Sequence, residues 1–180
     1  MDYKKILIKS KAYLPSVIAI LFVSLTRLLP HPPNVSPVTA IALFAGSTIG
    51  GISAFSIPLL IMFISDMFLG FHITIPFVYA SFILITLLGF LLKKRNRFQY
   101  YFIASLISSL LFFLITNFGV WLTSSMYQKS VNGLILCYTM GIPFFRNTIV
   151  GDIIYTIGIF YGFKLLTKIV QRVKLSMFLK

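Results

Sequence analysis

Apolar residues fill this chain in long blocks, separated by short polar, glycine-rich or proline-rich segments. A membrane-spanning helix needs about 20 apolar residues, with about 17 as the lower limit. Blocks of that size predict helices over 13–29, 73–92, 98–117 and 148–170. The block at 36–70 is too long for one span, since at about 1.5 Å per residue it would reach roughly 50 Å. Gly46, Gly50 and Gly51 interrupt it, which predicts a hairpin of two short helices, 36–49 and 52–70, turning at the glycines. A further apolar segment, 131–145, is short and contains Gly133, Gly141 and Pro143. It reads as a short re-entrant or interfacial helix on the outer face. The pattern as a whole predicts an all-α fold: a polytopic membrane protein with six transmembrane helices in a single bundle over residues 1–180.

Composition supports that reading. The chain is 58% hydrophobic and only 11% charged, whereas soluble domains carry about 25% charged residues. A net charge of +13 could suggest nucleic acid. The charges flank apolar spans and lack interleaved polar surface, however, so they read as helix-end anchors in the lipid bilayer, and no nucleic-acid partner is expected. The sixteen Lys and Arg residues fall mainly into three clusters. These are Lys4, Lys5, Lys9 and Lys11; Lys93, Lys94, Arg95 and Arg97; and Lys164, Lys168, Arg172, Lys174 and Lys180. Cytoplasmic helix ends carry excess Lys and Arg. Six spans bring all three clusters to the cytoplasmic side, with both termini there; merging 36–70 or promoting 131–145 to a span would not. The membrane is expected to be the cell's inner, cytoplasmic one. Lysines followed by an apolar stretch resemble a secretory signal, but the stretch runs into Arg27 with no small-residue cleavage site, so the first helix is expected to be retained. The single Cys137 excludes an intramolecular disulfide.

In that topology the polar residues collect at the outer end. Arg27, His31 and Asn34 follow the first helix, Asp66 and His72 flank the end of the third, Asn117 and Trp121 close the fifth, and Arg146, Asn147 and Asp152 open the sixth. Ionisable groups at membrane depth are costly, and are usually paired or placed in a cavity. Asp66 and Asp152 therefore either pair with Arg146 or Arg27 to pin helix ends, or line a ligand cavity opening outward, and the two can hold together. Asn147 reads as a helix N-cap. His31 and His72 are candidate ligands for a metal or cobalt centre or simply solvated loop residues, and Cys137 forms no recognised metal spacing with them. Trp121, Tyr127 and Tyr138 suit an interfacial belt or stacking on a flat ligand. The proline-rich stretch 29–37 is a stiff loop, either a lid or a connector that starts the second helix. Ala42, Gly46 and Gly50 recur at four-residue spacing, a small-residue face for a neighbouring helix of the bundle or of a partner protein. There is no nucleotide-binding loop, no catalytic arrangement and no cofactor signature; neither an enzyme nor a cofactor is expected.

Four stretches carry a resemblance. They are Leu29-Pro-His-Pro-Pro-Asn-Val-Ser-Pro-Val-Thr-Ala-Ile-Ala-Leu-Phe-Ala-Gly46, Ile64-Ser-Asp-Met-Phe-Leu-Gly-Phe-His72, Thr116-Asn-Phe-Gly-Val-Trp-Leu122 and Ile142-Pro-Phe-Phe-Arg-Asn-Thr-Ile-Val-Gly-Asp152. Together they resemble an uncharacterised bacterial family of candidate transport proteins, over nearly the whole chain. That family is similar to the substrate-binding S components of energy-coupling-factor (ECF) transporters. The resemblance implies a six-helix bundle with an outward-opening site, a small-residue face on a membrane coupling subunit, and two ATPases driving it. It also implies uptake of a vitamin-like small molecule. A corrinoid is one option, with His31 as its cobalt-side contact. Free nickel or cobalt fits less well, because the paired N-terminal histidines of those subunits are missing.

The expected function is thus a membrane substrate-binding subunit for a vitamin or similar micronutrient, energised by a separate ATPase module. Its expected ligand residues are Asp66, Arg146, Asp152, Asn117, Trp121, His31, His72 and Arg27, with an arginine meeting a ligand carboxylate or phosphate. The alternatives are a self-sufficient facilitator, an intramembrane lipid-modifying enzyme and a structural subunit. The apolar inner half argues against the first, and the lack of a nucleophile–base pair against the second.

Overall fold

The computed structural model describes residues 25, 30, 32–95 and 97–178. Apart from Leu25, the expected first helix at 13–29 lies outside the described residues, as do Arg27 and His31. The described residues form five α-helices and no strand: α1 Val38–Thr48, α2 Gly51–Leu69, α3 Ile75–Leu91, α4 Phe98–Thr123 and α5 Val131–Phe178.

The glycine turn falls where the sequence puts it. Gly50 (φ 70°) and Gly51 (φ 63°) both adopt the left-handed region, which costs other residues a Cβ clash, so the block at 36–70 breaks there into α1 and α2. Helix α1 is the centre of the bundle. It contacts all four other helices, and every residue from 38 to 46 is buried. A helix apolar on all sides has no solvent face to offer, so burial on all sides is its stable placement.

The α1–α3 crossing depends on two glycines. A Cβ on Gly46 would sit 2.2 Å from the Thr86 carbonyl oxygen and 3.0 Å from the Gly89 Cα, and a Cβ on Gly89 would sit 2.5 Å from the Leu43 carbonyl oxygen. Backbone therefore meets backbone, as small-residue pairs in membrane helices allow. Ala42 and Gly46 are buried, and Gly46 faces α3 of the same chain; Gly50 forms the turn.

Six spans are not supported among the described residues. Three helices are long and apolar enough to cross a membrane, namely α2, α4 and α5 up to Arg172, which marks a membrane protein. Helix α1 has 11 residues, about 17 Å, against a hydrocarbon core of about 30 Å. Helix α3 has 17 residues, the lower limit.

The largest departure is α5. No separate outer helix precedes the last span: residues 131–178 form one 48-residue helix with Pro143 inside it. At about 72 Å it is far longer than a bilayer core, so it projects beyond the core. A proline inside a helix removes one backbone hydrogen bond. Packing against α4 outweighs that loss. Phe113 stacks on Phe145 (centroids 4.5 Å apart) and touches Tyr138 (5.5 Å), on either side of the proline. Asn147 is accordingly not an N-cap but a mid-helix residue whose Nδ2 donates to the Pro33 carbonyl, 3.2 Å away.

Basic residues gather at one end. Lys94 and Arg95, after α3, line the same depression as Lys164 of α5. Beneath it Phe160 packs edge-on against Phe44 (5.4 Å) and stacks on Tyr101 (4.2 Å), and Phe163 meets Phe44 at 4.9 Å. These aromatic residues form the apolar wall of the depression, beside Ser47, Thr48 and Thr167.

Candidate ligand cavity

At the opposite end, the start of α1, the end of α2, the start of α3, the second half of α4 and the first half of α5 surround a cavity of about 520 Å³. That is the size of a small-molecule site. Its walls are mainly apolar, with Met62, Phe82, Phe112, Val120, Met140 and Phe144. A few polar groups converge on it from different helices: Thr39, Thr116, Asn117, Thr148 and Asp152.

Asp152 is the most unusual of these. It is 1% exposed. Ser109 Oγ of α4 lies 2.7 Å from its Oδ2, and Thr39 of α1 is a second side-chain hydrogen-bond partner. Three helices therefore meet at this carboxyl group. Around it, Thr116 and Thr148 donate to the carbonyls of Phe112 (2.7 Å) and Phe144 (2.9 Å) of their own helices. Asn117 Nδ2 donates to the Phe113 carbonyl at 2.8 Å. Gly141 makes room for Asn117, since a Cβ there would lie 2.5 Å from its Oδ1.

The remaining expected residues spread out. His72 lines the mouth of the cavity, with Nδ1 2.7 Å from Thr74 Oγ1. Asp66 is buried and does not line the cavity; the Tyr79 hydroxyl donates to its Oδ2 at 3.0 Å, joining α2 to α3. Arg146 is exposed and outside the cavity lining. Trp121 is also outside it. Its Nε1 donates to the Gln128 carbonyl at 2.9 Å. The Lys129 ammonium lies 5.7 Å from its ring and donates to the Trp121 and Ser124 carbonyls. Trp121 and Lys129 thus fasten the α4–α5 connection. Among the described residues, no three His, Cys, Asp or Glu side chains are grouped to hold a metal.

Residues 8–174 match a family described as "Family of unknown function (DUF6580)". The chain belongs to that family. No curated protein and no solved structure matches it.

In this DUF6580 chain, Thr39, Thr116 and Thr148 line the cavity and Ser109 supports Asp152 from behind it, and none of the four is among the expected ligand residues. Single hydroxyls in apolar helices barely change hydropathy. Their spacing carries the signal. Thr148 and Asp152 lie four apart on one face of α5, and Ser105, Ser109, Phe112 and Thr116 follow the same three-and-four rhythm on α4. The Asn147–Pro33 bond ties the proline-rich segment to α5 beside the mouth. Asn147→Ala is expected to cost about 1 kcal/mol and to speed proteolysis at residues 32–36, measured by limited digestion in detergent.

Proposed function

We propose that the chain is a membrane substrate-binding subunit for uptake of a vitamin-like micronutrient, with the ligand held in the outward half and a separate ATPase module supplying energy. The observation that carries this reading is the 520 Å³ cavity, with mainly apolar walls and the buried Asp152 in its lining. Concave, mostly apolar spaces with a few convergent polar groups are the usual form of a small-molecule site. That size suits a drug-sized compound and is small for a whole corrinoid. The resemblance to ECF S components points the same way. In this reading both termini and the 93–97 loop face the cytoplasm, and the cavity opens to the outside of the inner membrane.

Purification of the full chain in mild detergent, followed by mass spectrometry of co-extracted compounds, tests the reading. A stoichiometric small organic molecule is the expected result, and a ligand-free preparation contradicts high-affinity capture. The topology has its own test in a Cys137→Ser background. Met126→Cys, which is 75% exposed in the α4–α5 connection, is expected to react with an impermeant maleimide on intact cells. Arg97→Cys is expected to react only after permeabilisation; the reverse pattern would invert the topology.

A further inference from the structure

We infer that the cavity selects a small ring-bearing molecule with a protonated nitrogen, an amine or amidine, which pairs with Asp152; this rests on the ligand-binding reading above. A hydroxyl has one proton to donate and two lone pairs to offer. Thr116 and Thr148 commit their protons to the Phe112 and Phe144 carbonyls. Both therefore present only acceptors to the cavity. The single Ser109 proton lies between two acceptors, the Ser105 carbonyl at 3.0 Å and Asp152 Oδ2 at 2.7 Å, and can serve one at a time. No Lys or Arg is among the described residues lining the cavity. The inner part of the cavity is therefore rich in acceptors and carries one acidic group.

A carboxylate away from water needs a cation or several donors to offset its desolvation. Two hydroxyls, one of them shared, supply little. A cationic donor from the ligand completes the set with a charge-assisted hydrogen bond, and the Phe82, Phe112 and Phe144 rings suit its flat body and its charge. A ligand carboxylate or phosphate would meet like charge and lone pairs instead. Among the described residues the expected arginine fork for such an anion has no counterpart, since Arg146 lies outside the lining.

The test uses three probes with one ring and three charges: benzamidine, benzamide and benzoate, titrated calorimetrically into the full chain in detergent. Benzamidine is expected to bind at least about tenfold more tightly than either of the others. Asp152→Asn is expected to erase its advantage over benzamide. Ser109→Ala, which removes a donor from the carboxylate, is expected to widen that advantage. Tighter binding of benzoate overturns the inference, as does an advantage for benzamidine that survives in Asp152→Asn or narrows in Ser109→Ala. If none of the three binds, the co-extracted compound decides. A protonated nitrogen on it supports the inference, and an uncharged or anionic compound overturns the charge selection but leaves ligand binding standing. A ligand-free preparation that also binds no probe overturns both.

Discussion

Asp152→Leu is expected to weaken ligand retention at least about thirtyfold while leaving the unfolding temperature unchanged or raised. The two effects have separate causes. Removing one partner of a buried charged pair costs about 2–5 kcal/mol of binding. Replacing a buried charge by an apolar side chain of similar size is neutral or stabilising for the fold. Ser109 would still have the Ser105 carbonyl as acceptor, 3.0 Å away, so its proton is not stranded. If Asp152 only pinned helices together through Ser109 and Thr39, the same substitution would lower stability by about 1–3 kcal/mol. Thermal unfolding of ligand-free protein, measured beside ligand retention, separates the two by sign.

Gly46→Ala is expected to lower stability by about 3 kcal/mol or more. In an exposed helix this change would add about 1 kcal/mol through helix propensity. Here the new methyl would sit 2.2 Å from the Thr86 carbonyl oxygen and close to Gly89, and backbone cannot rotate away as a side chain can. The α1–α3 pair must then separate, and α1 contacts every other helix. Gly89→Ala should act alike, through the Leu43 carbonyl. A melting temperature at or above that of the parent protein would show that the crossing is looser than described.

The parts of the fold legible in the sequence were those set by long-range composition. Continuous apolar blocks gave α3, α4 and the body of α5, and adjacent glycines with positive φ gave the α1–α2 turn. What stayed hidden was set by packing. Gly133, Gly141 and Pro143 suggested an interrupted segment, yet α5 runs through them because Phe113 packs on Phe145 and Tyr138. The short α1 looked like a span because apolarity alone cannot tell burial in protein from burial in lipid. In the cavity, Asp152, Asn117 and His72 were readable as rare polar groups in apolar surroundings. Arg146 and Trp121 carried the same local signal, but they face the surface and the α4–α5 connection, which only tertiary structure decides.

If this cavity holds a small molecule, filling it with protein side chain must exclude that molecule. Thr116→Phe places a ring in the lined space and leaves the Asp152 side chain itself unchanged. Native mass spectrometry of the parent protein and this variant, prepared side by side and matched in melting temperature, reads occupancy directly. A bound small molecule is expected on the parent protein and none on the variant. Equal occupancy of both, or of neither, would contradict this expectation.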